Sequence, residues 1–149
     1  MAFAIVAVCG LIHVIVIVIF AQFLLRTFSP AETIKLSRQA LVLVLVFAVV
    51  TLLSLIEAGI WATFYYFRAL FPDFETSFYF SLGTYSTIGY GDVVLPQRWR
   101  LLGGMEGISG VLLCGLSAAF VFAVLNALFQ SRVQRSLSKV TVLEKRPRV

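Results

Sequence analysis

The chain has 149 residues, 60% of them hydrophobic and only 13% charged, with a net charge of +5. A water-soluble globular domain of this size cannot carry so much apolar material. The basic excess does not read as a nucleic-acid surface either, because Lys and Arg sit at the ends of apolar runs without interleaved exposed aromatics.

Three uncharged runs set the class. Residues 1–25 contain no Lys, Arg, Asp or Glu, residues 39–67 contain only Glu57, and residues 101–131 contain only Glu106. Each meets the ~20 apolar residues needed to cross a bilayer core of ~30 Å. An all-α membrane protein with three transmembrane helices is expected.

The first helix is expected over 3–25. Its core, from Ile5 to Leu25, exceeds the ~7–15 apolar residues of a signal peptide, and nothing basic precedes it. It therefore reads as a retained helix. In the link that follows, Ser29 can cap and Pro30 can open a helical turn. Residues 1–38 form this N-terminal unit.

The second helix is expected over 39–68. Pro72 then breaks the chain, Asp73 is placed to cap the next helix, and Glu75 suits its positive end. Residues 74–86 are amphipathic and aromatic but too short to span, which predicts a re-entrant helix. The backbone of 87–92 is non-helical, and such backbone is tolerated at membrane depth only where protein buries it or it lines water. The third helix is expected over 99–130, followed by a basic tail over 131–149.

The first link carries Arg26, Lys35 and Arg38 against Glu32, and the tail carries six basic residues against Glu144. The segment between the second and third helices is balanced. The positive-inside rule then puts the N-terminus outside and the C-terminus in the cytoplasm. Cys9 and Cys114 read as apolar packing rather than a disulfide. No helix carries Arg at every third position, so no voltage sensor is expected.

Thr87-Ile88-Gly89-Tyr90-Gly91-Asp92 lies between the re-entrant helix and the last spanning helix. It resembles the potassium-channel signature Thr-Val-Gly-Tyr-Gly-Asp, with Ile88 in place of Val. Residues 39–130 resemble the two-helix pore domain of the bacterial potassium channel family. Glu57-Ala58-Gly59-Ile60-Trp61-Ala62, Tyr79-Phe80-Ser81 and Trp99-Arg100-Leu101-Leu102 resemble a branch of small prokaryotic channels with an extra N-terminal helix. The resemblance implies a tetrameric pore in a prokaryotic plasma membrane, with K+ as permeant ion and no cofactor. It implies no enzyme activity, no catalytic residue and no small-molecule substrate.

In that family, backbone carbonyls from four chains replace the hydration shell of the ion. The carbonyls of Thr87, Ile88, Gly89 and Tyr90 are expected to form the K+ sites. Gly89 and Gly91 permit backbone angles that side chains resist, while Ile88 and Tyr90 point away from the axis. The bland alternative is a tight glycine turn that binds no ion. One such loop per chain requires a homotetramer, with membrane lipids as its surroundings. A weakly selective cation channel and a nonconducting regulatory subunit are the competing functions.

Alignment on the signature puts Tyr79 opposite Asp92, which predicts a hydroxyl–carboxylate hydrogen bond; simple aromatic packing is the alternative. Gly83 stands where some members have a filter-bonding Glu. Glu106, about seven residues into the last helix, lies ~11 Å below its outer end and is a candidate substitute, with Tyr85, Ser86 or Thr87 as partners. His13 and Glu57 both lie ~15 Å deep by helical rise. They are expected to pair, the alternatives being a lone His13 bonded to a carbonyl and a pH sensor. Gly110 matches the family's inner-helix hinge, although close helix packing by a small residue explains it equally well. The basic tail serves either anionic lipid headgroups or topology alone.

Overall fold

Each uncharged run of the sequence is a helix. The computed structural model describes residues 1–27 and 36–144, with side chains for residues 1–27 and 37–130. It contains α1 (Ala2–Thr27), α2 (Leu36–Phe67), α3 (Phe74–Tyr85), a 3-10 turn (Gln97–Trp99) and α4 (Arg100–Glu144). The expected Ser29–Pro30 turn lies outside the described residues. Three helical segments, Ala2–Thr27, Ser37–Phe67 and Gln97–Gln130, are long and apolar enough to span a bilayer, and α3 is not. No strand occurs among the described residues.

α1 is apolar on every side, as a lipid-embedded helix must be. Cys9, His13 and Leu24 are its buried residues beyond Ala2, whereas Leu11, Val14, Ile15, Val18 and Ile19 stay exposed. Through that buried stripe α1 packs on α4 and α2 of its own chain, with the rings of Phe20 and Phe120 6.2 Å apart. Cys114, by contrast, is exposed on the single chain.

α2 ends in a Schellman motif. The Leu70 N–H donates to the Tyr65 carbonyl at 3.1 Å and the Ala69 N–H to that of Tyr66 at 2.9 Å. Ala69 takes the left-handed position with φ 50°, where glycine is usual. The reversed chain delivers Pro72 and then Asp73, whose carboxylate accepts the Thr76 N–H at 2.7 Å and caps α3. That bond holds the Asp73 carboxyl below the usual carboxylate range.

Aromatic packing pins α3 against α2. Trp61 and Tyr65 are fully buried, and the Tyr65 ring meets Phe80 edge-on at 5.4 Å and Phe71 at 6.1 Å. Such pairs contribute roughly 0.5–1.5 kcal/mol each beyond the area they bury. A second cluster of Leu24, Val42 and Val46 packs with Phe20, Phe120 and Val121.

The last helix departs from expectation at its far end. It continues unbroken to Glu144 rather than stopping near 130, so most of the expected basic tail is helical. The reason is local: residues 131–144 contain neither Gly nor Pro, and Pro147 is the first breaker. At 1.5 Å per residue a 45-residue helix reaches ~68 Å, well beyond a bilayer core.

Ala69→Gly is expected to stabilise the turn between α2 and α3 by about 0.5–1 kcal/mol. Relief of left-handed strain of ~1–2 kcal/mol outweighs the entropy of an added glycine. A higher thermal midpoint of the detergent-solubilised protein would show it; a lower one would contradict the strain.

Candidate functional site

The loop that leaves α3 has a backbone that alternates in sign. Thr87 has φ 61°, Gly89 has φ 56° and Gly91 has φ 80°, while Ile88 and Tyr90 between them keep negative φ. Glycine accepts the positive region freely. Thr87 does not, at a cost of about 1–2 kcal/mol. Sequence reasoning assigned this strain to the two glycines and missed it at Thr87, because residue type alone does not reveal it.

Two backbone bonds suspend the loop from α3. The Thr87 N–H donates to the Thr84 carbonyl and the Gly89 N–H to the Gly83 carbonyl, both at 3.0 Å. Among the described residues, no donor is bonded to the carbonyls of Thr87, Ile88, Gly89 or Tyr90. Ile88 and Tyr90 are large, apolar and exposed on the single chain.

Side chains hold the outer end of the loop. The Tyr90 ring stacks on Tyr79, with centroids 6.0 Å apart and planes within 9°. The Tyr79 hydroxyl donates to Asp92 Oδ2 at 2.8 Å, and the Val93 N–H donates to Oδ1 at 2.9 Å. The Tyr79 bond holds the Asp92 carboxyl below the usual range, and the same bond raises the Tyr79 hydroxyl. Gly83 faces Tyr90, and an added Cβ would sit 3.8 Å from its ring. A cavity of about 250 Å³ opens there, lined by Tyr79, Gly83, Tyr90 and Asp92 among others.

Behind α3 stand two buried carboxyl groups. Glu106, on α4, is fully buried. It does not reach Tyr85, Ser86 or Thr87, the partners expected for it. Its partners are Tyr65, whose hydroxyl donates to Oε2 at 2.7 Å, and Ser81, whose hydroxyl meets Oε1. Ser81 Oγ also lies 2.7 Å from the Ala58 carbonyl. A hydroxyl has one hydrogen, so Ser81 can satisfy both neighbours only if the Glu106 carboxyl carries the second proton.

Tyr85 turns the other way, toward α2. Its hydroxyl donates to Glu57 Oε2, and Glu57 Oε1 lies 2.8 Å from His13 Nδ1. His13 Nε2 meets the Ser117 hydroxyl at 3.2 Å. The structure thus brings His13 and Glu57 together. It also adds Tyr65, Ser81 and Ser117, which sequence reasoning did not assign, and gives Tyr85 to Glu57 instead of Glu106. The available signal was a polar stripe on α3, with Ser77, Ser81 and Tyr85 four residues apart on one face.

Gly110 carries out a packing task. A Cβ there would overlap the Tyr85 carbonyl, lying 2.9 Å from its carbon. Gly107 approaches the Thr84 carbonyl and Gly103 the Phe80 ring, both at 3.5 Å from an added Cβ. α4 runs through all three as uninterrupted helix, so at Gly110 the structure bears on close approach rather than on a bend.

Three bilayer-length helices around a short helix and a suspended loop define a polytopic, all-helical membrane protein. A family model described as ion channel matches residues 39–127, which takes in α2, α3, the loop and most of the membrane part of α4. The chain belongs to the ion channel family. No curated protein and no solved structure matches it. α1 lies outside the matched region.

The Tyr79–Asp92 bond makes a prediction about acid. Because Asp92 titrates low when folded, the bond is fully present above the ordinary carboxylate range, about pH 4. It is lost as pH falls through the depressed value. Tyr79→Phe is expected to move the Asp92 titration up toward the ordinary value, read by carbon-13 NMR of the labelled carboxyl. An unmoved titration would remove Tyr79 as the cause.

Glu106→Ala strands the Tyr65 hydroxyl, at a cost of about 1–3 kcal/mol, and leaves Ser81 with the Ala58 carbonyl alone. Glu106→Gln keeps an acceptor for Tyr65 and a donor for Ser81, so its thermal midpoint is expected to stay much nearer wild type. Equal midpoints for the two variants would count against the assigned hydrogen bonds.

Proposed function

We propose that the chain is one subunit of a potassium-selective channel of the bacterial potassium channel family, and that four copies surround one pore. The observation that carries this reading is the sign alternation of φ at Thr87, Gly89 and Gly91, together with carbonyls that no donor engages among the described residues. Alternating left- and right-handed backbone turns successive peptide groups the same way. Four such rows around an axis would present cages of oxygen in place of the water a K+ ion sheds. A closed glycine turn would instead spend its carbonyls on internal hydrogen bonds.

Further features support the same reading. α3 points its C-terminal end at the loop, so the negative end of its dipole faces the place where cations would stand. The exposed Ile88 and Tyr90 require cover that a single chain does not provide, and neighbouring subunits would supply it. The basic residues flanking the spans favour an N-terminus outside and a C-terminus in the cytoplasm, and the family resemblance favours a prokaryotic plasma membrane. Lipid surrounds the assembly, and K+ passes without a cofactor.

Purified protein in liposomes decides among the readings. Flux of K+ well above that of Na+, blocked by barium, is the expected result. Comparable Na+ flux would make the pore weakly selective, and silence from an intact assembly would make the chain a nonconducting subunit.

A further inference from the structure

The helix outside the matched family region is connected to the conducting loop by four side chains in series. Tyr85, the last residue of α3, bonds Glu57 of α2. Glu57 bonds His13 of α1 at 2.8 Å, and His13 meets Ser117 of α4 at 3.2 Å. Each of the four helices contributes one group. His13 and Glu57 are fully buried, and Tyr85 and Ser117 nearly so. His13 is the single histidine of the chain.

We propose that His13 is a positioning residue for the conducting loop, and that α1 acts through it to keep Thr87–Asp92 in the conducting arrangement. This rests on the pore reading above. Glu57 has two oxygens, of which Tyr85 takes one and His13 the other. Without His13, Oε1 of the fully buried Glu57 loses its partner among the described residues, and a buried acceptor without a partner is costly. The Tyr85 hydroxyl or an entering water must then re-satisfy the carboxylate, and the end of α3 shifts.

The neighbouring geometry directs that shift. On the α4 side the Tyr85 carbonyl already sits against Gly110 with no room for a Cβ, so movement toward α4 is blocked. It passes along the chain to Ser86 and then Thr87. Thr87 already holds φ 61°, a position with little tolerance for further distortion. The imidazole suits the task because it offers a polar atom on each edge. Nδ1 meets Glu57 and Nε2 meets the Ser117 hydroxyl, so one ring serves two neighbours and anchors α1 to α4 at the same point.

The test reconstitutes the full-length protein and follows the decline of K+ current at constant driving force, with assembly checked by gel filtration. His13→Leu is expected to speed the decline about tenfold without changing assembly. His13→Gln, whose amide N–H can still donate to Glu57, is expected to stay within about twofold of wild type. Tyr85→Phe is expected to match His13→Leu, and the double variant to be no faster than either single one, since both break one chain of bonds.

A His13→Leu channel that declines at the wild-type rate would overturn the proposal. So would rates that multiply independently in the double variant, which would mean that α1 and α3 act separately. If His13→Leu fails to assemble, Tyr85→Phe takes its place. It removes the hydroxyl that ties the end of α3 to Glu57 while His13 and Glu57 stay paired, and a wild-type rate from it would equally overturn the proposal. Silence of the wild-type protein would sink the pore reading and this inference together, whereas a conducting wild type with an indifferent His13→Leu would sink this inference alone.

Discussion

Main-chain oxygen at membrane depth is the constraint around which the molecule is arranged. Lipid offers no donor to a bare carbonyl, and each unsatisfied group there costs several kcal/mol. α3 is too short to cross, so the chain turns back through Thr87–Asp92 as non-helical backbone. Two backbone bonds to α3 and the Tyr90–Tyr79 stack keep this loop against its own helix. The left-handed Thr87 carries a cost that the surrounding contacts must offset.

The contacts that do so are polar groups in an apolar setting. Ser81 and Tyr85 lie one helical turn apart on α3, and each meets a different buried carboxyl, Glu106 on α4 and Glu57 on α2. Buried pairs of this kind add little net stability compared with apolar packing of the same volume, yet breaking one is expensive. What they fix is direction. An aromatic surface alone lets a short helix rotate or slide, whereas two hydroxyls with two separate carboxyls permit one orientation. Tyr65 serves both purposes, with its ring in the aromatic cluster and its hydroxyl on Glu106.

Close approach makes these short bonds possible. Gly103, Gly107 and Gly110 recur at helical spacing on α4 and face α3. Where packing cannot rely on the hydrophobic effect between helices, small residues let backbones come near and bring polar side chains within reach. The Gly110 contact with Tyr85 lies where the α3 end, the loop and α4 meet, so one glycine governs how near α4 stands to the Thr87–Asp92 loop.

Much of this was legible in the residues themselves. The three spans follow from the lengths of the uncharged runs, since a charge in hydrocarbon is costly wherever the helices pack. Pro72 and Asp73 mark the start of α3 through local chemistry that needs no tertiary partner. Equal depths along two helices bring His13 and Glu57 into register, because helical rise is the same everywhere. The partners of Glu106 were not legible, nor was the strain at Thr87, nor the wedge of Gly110 against Tyr85. Depth fixes a residue's height but not its facing, and facing depends on how each helix is rotated and crossed against the others. The sequence by itself therefore determined which segments are helices, where they start and how deep each polar residue lies. Only the tertiary structure decided that Tyr85 turns to Glu57 while Ser81 turns to Glu106, because those choices follow from the packing angle of α3 between α2 and α4.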